Sequence, residues 1–238
     1  MHPLRFINVE KSFGDKKILD KITFNVNEND IFGFIGLNGI GKTTLIKITL
    51  DLLDQDDGEV EIFRKSRILP ESRARLCYLP EKFSPPSTLE GQEFIEFVLG
   101  FYKRKYSAFD AKKLCDELEL DFDMLKQKTH KYSKGMTQKL GLIATFLSNS
   151  DLIILDEPMS GLDPKARIAL KKQLINYQKK DKTIFFSSHI LADMDEICTN
   201  IAILNNKKIT YYGNVQDFKD KHNSPTLDNA FLKEINVL

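Results

Sequence analysis

The stretch "GLNGIGKTT", Gly36 to Thr44, decides how the rest of the chain is read. It follows the apolar run "IFGFI", Ile31 to Ile35, and opens a segment in which Leu45, Ile46 and Thr49 share one helical face. The turn between this strand and helix matches G-x-x-x-x-G-K-[ST] with Gly36, Gly41, Lys42 and Thr43. Glycines let successive backbone N–H groups turn inward around an anion, and the helix aims its positive N-terminal end at the same point. Lys42 adds a point charge, and the Thr43 hydroxyl suits a magnesium ion. The plain alternative is a flexible turn with a surface lysine; the flanking strand and helix favour a phosphate cradle. Its candidate nucleotide contacts are Gly36, Asn38, Gly39, Gly41, Lys42, Thr43 and Thr44.

Such a cradle needs a metal-holding acid at the end of a neighbouring buried strand. "LIILDEP" supplies Asp156 after four apolar residues, with Glu157 beside it. Asp156 suits magnesium, and Glu157 is placed to polarise an attacking water. A solvated pair of strand-end acids is common by itself; beside the loop it reads as function. His189 follows the apolar run in "FFSSHI". A lone histidine is more often structural, but at the C-terminal end of a strand in an open α/β sheet it faces the ligand crevice. There it would meet the γ-phosphate or the attacking water.

Working outward, "LRFINV" and "KITFNV" alternate apolar and polar residues, as antiparallel strands do. "EVEIF" and "RLCYLP" are short strand candidates, and the helix after the loop is expected to run from Lys42 to Leu53. From residue 83 the character changes. In "FSPPSTLEGQEFIEFVLGFY", Ser87 and Glu90 stand at capping-box spacing, and Phe94, Phe97, Val98 and Phe101 recur at helical spacing. That pattern is expected to bury the three phenylalanines, leaving Phe83, Pro85 and Pro86 as loop residues for another protein to cover. "AKKLCDELEL" repeats the helical pattern with Ala111, Leu114, Cys115 and Leu118. Later, "DLIILDEP" and "KTIFFSSH" flank a helical segment, which implies parallel strands joined by a right-handed crossover. "NIAILNNKKITYYG" reads as a hairpin turning at Asn205–Asn206, and "LDNAFLKEINVL" as a short helix. The expected fold is α/β: a mostly parallel sheet, an N-terminal antiparallel β part and an inserted helical subdomain. Residues 1–82 and 149–213 form the core, 83–148 the insertion and 214–238 a C-terminal tail, all in one domain.

Composition sets few limits. The 238 residues are 42% hydrophobic and 29% charged, ordinary for a globular domain. A net charge of +1 makes no electrostatic case for a nucleic-acid partner. Cys77, Cys115 and Cys198 show no metal or redox spacing, as expected of reduced thiols in the cytosol. "MHPLRFINVEK" lacks the apolar core of a secretory signal, and no apolar window is long enough to span a bilayer. If the protein works at a membrane, another chain does the crossing.

With these motifs in this order, the chain resembles the nucleotide-binding subunit of an ATP-binding cassette (ABC) transporter over nearly its whole length. The resemblance implies a P-loop NTPase core. "GLNGIGKTT" is similar to the family's Walker A loop, "LIILDEP" to its Walker B strand, "SGLDP" to its D-loop with Asp163, and "SSHIL" to its switch-histidine segment. "YSKGM", Tyr132 to Met136, resembles the family signature Leu-Ser-Gly-Gly-Gln but keeps only Ser133 and Gly135. Similar variants occur in exporter-type subunits. Glu81 in "YLPEKF" stands where the family has its Q-loop glutamine, so its nucleotide and metal role carries over only in part. Phe13 in "KSFG" stands where a tyrosine stacks on adenine; the alternative is a strand-end core aromatic.

The resemblance implies ATP and Mg2+ as cofactors, Glu157 and His189 as catalytic residues, and Thr43, Asp156 and Glu81 at the metal. It further implies a second nucleotide-binding subunit, identical or different, that shares two ATP molecules with this one. A multi-span membrane subunit is expected as well, with this chain peripheral on the cytoplasmic face of the inner membrane. A soluble ABC-type ATPase without a membrane partner is the alternative. Such proteins usually add coiled-coil insertions, zinc sites or a second cassette, for which 238 residues leave no room.

Overall fold

The computed structural model describes residues 2–235. Alternating patterns near the start become Leu4–Phe13 (β1) and Lys16–Val26 (β2), an antiparallel pair joined at "GD". The uniformly apolar Ile31–Ile35 (β3) is buried at every position, and Lys42–Thr49 (α1) follows the glycine loop. Next come Asp57–Ile62 (β4), Lys65–Ser66 (β5), Pro70–Arg73 (α2) and Leu76–Leu79 (β6). Gly91–Phe101 (α3), Ala108–Leu118 (α4) and Lys134–Ser148 (α5) make a helical stretch. The chain returns to strands with Leu152–Asp156 (β7), crosses over through Pro164–Gln178 (α6) and enters Thr183–Ser188 (β8). Leu191–Ile197 (α7), Asn200–Asn205 (β9), Lys208–Asn214 (β10), Val215–Lys221 (α8) and Leu227–Glu234 (α9) complete it.

Two sheets result, ordered β2-β1-β4-β5 and β10-β9-β3-β8-β7-β6. The second is parallel from β9 to β6, with β10 added antiparallel at its edge. Its pleat divides the core. Phe32, Phe34 and Phe185 face the first sheet, where they cluster with Phe24 at ring spacings of 5.5 to 6.4 Å, while Ile31, Ile35, Ile184 and Phe186 face the helices. Because β3, β6, β7 and β8 run parallel, Gly36, Glu81, Asp156 and His189 all lie at or just beyond one edge, where open α/β sheets bind ligands. The three cysteines are unpaired and buried, and burial pushes their thiols up, that of Cys115 to about 12.

Several sequence expectations shift. Helix α1 stops at Thr49 rather than Leu53. Asp51 adopts a left-handed conformation (φ 61°), and Asp51 and Leu52 return their N–H groups to the Ile48 and Lys47 carbonyls, a Schellman closure. The capping box of α3 is Glu90 with Glu93, not Ser87 with Glu90. The Pro86 carbonyl accepts from Leu89 N and Thr129 Oγ1, which holds the preceding segment in a turn. The phenylalanines of α3 also part company. Phe94 is buried, but Phe97 and Phe101 are 57% and 73% exposed and pack edge-on against each other at 5.1 Å. Ile95 and Leu99 fill the core instead. Phe83 is half-buried against Phe94 and Gly141, and Pro85 is buried, so these two serve the fold. The β9–β10 turn falls at Asn206–Lys207, both with positive φ, one residue later than expected. Residues after β10 are tied down through α8 and α9, whose Phe218, Leu227 and Phe231 are buried. The last three residues of the expected C-terminal helix lie outside the described residues.

Candidate phosphate-binding and hydrolysis site

The loop leaving β3 owes its path to glycine. Gly39 and Gly41 take φ values of 76° and 123°, which residues with a Cβ rarely adopt, and Gly41 begins α1 with no side chain capping its first turn. That uncapped turn borders a cavity of about 380 Å³ lined by Asn38, Gly39, Gly41, Lys42, Thr43 and Thr44. On the opposite side stand Glu81, Lys82, Asp156, Glu157 and His189. Residues far apart in sequence are thus brought together.

Lys42 is 6% exposed and donates to the Gly36 carbonyl at 2.6 Å, so its ammonium is folded back into the loop. It also lies 3.5 Å from Glu157 Oε1. Thr43 Oγ1 donates to Asp156 Oδ2 at 2.8 Å, and Ser187 Oγ donates to Oδ1 of the same carboxylate. Glu157 sits at φ 52° just past β7, anchored by its N–H to the carbonyl and hydroxyl of Ser187 at 3.1 and 3.2 Å. Non-glycine residues held in that region cluster at functional sites because the surroundings must over-determine them. The Oε2 atom of Glu157 lies 2.8 Å from His189 Nδ1, while Oε1 is buried without a hydrogen bond. An acceptor buried beside a cavity with a cation 3.5 Å away but no hydrogen bond is poised for something that enters it. Burial, with the charges of Asp156 and Glu81 nearby, pushes the Tyr78 phenol well above its usual value, so it stays neutral here.

These residues fit a nucleoside triphosphate with a divalent cation. Among the described residues no group of three or more His, Cys, Asp or Glu could hold a metal unaided. Mg2+, however, takes one or two carboxylates and completes its shell with water and substrate phosphate. The hydroxyl and carboxylate of Thr43 and Asp156 match that need.

Ser187 was not legible as a site residue. A serine inside the buried "TIFFSS" strand has no motif, and only the register pairing it with Asp156 shows its use. Other expected residues lie apart from the cavity. Phe13 is 51% exposed at the end of β1, with Lys11 Nζ 5.6 Å from its ring centre, which removes the core-aromatic alternative. Ser133 and Asp163 cap α5 and α6 by accepting from Met136 N and Ala166 N. A Cβ on Gly135 would stand 3.2 Å from the Gly161 carbonyl, so the signature segment packs closely on the segment leading to Asp163.

Known proteins resemble this chain in sequence and in fold. The sequence profile of the ABC transporter family matches residues 19–160. An uncharacterized ABC transporter ATP-binding protein of Methanocaldococcus jannaschii is 34% identical over 216 residues, 88% of this chain and 77% of that protein. The bacitracin transport ATP-binding protein BcrA of Bacillus licheniformis is 32% identical over 216 residues, covering 87% and 68%. A solved structure of the ATP-binding subunit of an ABC transporter superposes with a TM-score of 0.85 at 26% identity, over 97% of this chain and 98% of that one. Curated relatives run longer than this chain, which spans 53% to 77% of three of them. Fold and family together define a nucleotide-binding ATPase. The chain belongs to the ABC transporter family, as an ATP-binding subunit.

Proposed function

We propose that this subunit hydrolyses Mg2+-bound ATP within a two-chain assembly and so drives export through a separate membrane protein. The observation that carries the hydrolytic reading is Glu157, buried at the cavity with one oxygen on His189 and the other without a hydrogen bond. Glu157 accepts the proton of the attacking water, and His189 orients Glu157 and meets the γ-phosphate. Lys42, the loop N–H groups and the N-terminus of α1 hold the β and γ phosphates. Thr43 and Asp156 hold Mg2+, with Glu81 at the rim; the ion neutralises phosphate charge when bound. Phe13 offers an open ring face to the adenine. Ser133, Gly135 and Asp163 are available for the partner chain's nucleotide, because they lie outside the cavity containing Lys42. Mg2+-dependent phosphate release from ATP by the purified chain tests the reading; no release above background from protein that binds ATP would overturn it.

Among the described residues no helix is long and apolar enough to cross a membrane, and this reading assigns passage to a separate membrane protein. Export is supported by the resemblance of "YSKGM", and transport by the name of the bacitracin transport relative. On this reading the chain sits peripherally on the cytoplasmic face of the inner membrane. Phe97 and Phe101 are the aromatic pair left for a membrane subunit to cover, in place of Phe83 and Pro85. Phe97→Asp with Phe101→Asp is expected to preserve fold and basal ATPase, since both side chains are exposed. Recovery of the membrane partner on co-purification should drop at least about tenfold, the scale of losing an aromatic anchor. Full recovery would move the docking surface elsewhere.

Glu81 borders the cavity but is exposed. Glu81→Gln keeps an acceptor oxygen, and turnover should stay within about fivefold of the parental rate, as for an exposed charge. A loss as deep as that of Glu157→Gln would instead make Glu81 catalytic.

A further inference from the structure

We infer that the chain carries a second small-molecule site, a cavity between α4, the end of α5 and the C-terminal half of α6 that takes a flat aromatic anion of nucleoside-monophosphate size. The cavity measures about 520 Å³ and shares no lining residue with the phosphate cavity. Small-molecule sites commonly fall between about 300 and 1,000 Å³, and this one is lined more by polar than by apolar groups.

Three features select the ligand. Phe146 and Tyr177 line the cavity at 6% and 4% exposure, their ring centres 5.4 Å apart. The Tyr177 hydroxyl is committed to the Ser150 carbonyl at 2.7 Å, so its ring is what remains for a ligand. Aromatic surfaces of this kind favour a flat ring. Gln173 also lines the cavity. It is only 8% exposed, and among the described residues its side-chain amide makes no hydrogen bond. With no partner among the described residues, the amide offers both donors and an acceptor to the edge of a heterocycle.

Charge is the third feature. Arg104, Lys113, Lys179 and Lys180 line the cavity, and among the described residues none forms an ion pair. Against them stand only Asp110 and Glu117, which leaves a surplus of two positive charges. Ion pairing is otherwise easy nearby: Lys165 on α6 reaches Glu119 beyond α4 at 2.6 Å, and Lys171 on α6 reaches Glu196 on α7 at 2.6 Å. Unpaired cations around an aromatic floor suit a phosphomonoester, which carries up to two negative charges and accepts from guanidinium and ammonium donors. An occupant would touch α4 and α6 together and brace the helical stretch against the sheet's crossover helix.

The test is fluorescence titration of the full chain with 2-naphthyl phosphate, in saturating Mg-ADP so that the phosphate cavity is filled. Saturable binding with a Kd below about 1 mM is expected. Inorganic phosphate and 2-naphthol should each bind at least about tenfold more weakly, because each supplies half of the recognition. Gln173→Leu, and separately Lys113→Glu with Lys180→Glu, should each weaken the probe about tenfold or more. Without probe, Gln173→Leu should melt close to the parental temperature, since the amide makes no hydrogen bond within the described residues. Absence of saturable binding would overturn the site, as would unchanged affinity in Gln173→Leu. Equal affinity for 2-naphthol would reduce it to an apolar cleft, and a clear fall in melting temperature for Gln173→Leu would make the amide structural.

Discussion

Glu157→Gln is expected to bind ATP at least as well as the parental protein while losing about 10²–10⁴-fold in turnover, the usual contribution of a general base. The amide is nearly isosteric, so the contact with His189 and the backbone anchors on Ser187 can persist. What disappears is the ability to take a proton from water. Binding should tighten for an electrostatic reason: Glu157 Oε1 lies 3.5 Å from Lys42 Nζ, with both side chains buried, and competes with phosphate for that cation. Neutralising Glu157 releases Lys42 to the nucleotide. If two chains share the ATP, the stalled variant should also accumulate as a dimer on size exclusion with ATP and Mg2+. A variant that turns over ATP within tenfold of the parental rate would remove Glu157 from the base role, and a monomer at high protein concentration would count against the sandwich.

The readable parts of the sequence are those where one physical requirement allows few residue types. Buried parallel strands must be apolar throughout, so β3, β7 and β8 announced themselves, and each leads straight to a site residue. A loop that rings an anion needs glycine at positive φ, which Gly39 and Gly41 confirm. Helix α3 was different. Phe94, Ile95, Phe97, Val98, Leu99 and Phe101 surround most of its circumference, so periodicity alone could not say which face turns inward. Packing decided it: Gly91 fits under the Tyr132 hydroxyl and Leu125, Ile95 and Leu99 follow one and two turns later, and Phe97 and Phe101 are left outside.

The site shows the same division. Lys42, Thr43, Asp156, Glu157 and His189 carried signals because their chemistry restricts both type and position. Ser187 carried none, since its role arises from strand pairing that brings it beside Asp156. The left-handed backbone of Glu157 was also invisible, because nothing in a side chain's identity reports the turn it must make. Ser133 and Asp163 had a second reading available from the start. Each precedes a helical segment, and each proves to be its N-cap. Capping leaves their outward lone pairs free for a nucleotide held by another chain, so the structural and the proposed functional roles are compatible.

Lys42→Ala is expected to fail at both binding and turnover. Its ammonium is the cation that the loop holds inside the cavity, donating to the Gly36 carbonyl at 2.6 Å. Loss of a charge-assisted hydrogen bond, about 1.5–3 kcal/mol, corresponds to roughly 10–100-fold in ATP affinity. Loss of a preorganised cation where charge develops costs about 10²–10³-fold more in kcat. Stability should respond as well. Removing Lys42 leaves Glu157 6% exposed with His189 as its remaining partner, and stranding a buried charge costs up to about 3–5 kcal/mol. This pair borders an open cavity, so the lower end of that range or less is expected. A double-mutant cycle separates the two effects. Lys42→Ala with Glu157→Gln should regain melting temperature relative to Lys42→Ala, because no buried carboxylate is left stranded, yet stay inactive. Thermal melts and Mg2+-dependent phosphate release measure both arms. Parental ATP hydrolysis by Lys42→Ala would refute the phosphate cradle, and a double variant no more stable than Lys42→Ala would show that Lys42 and Glu157 are not coupled in the folded protein.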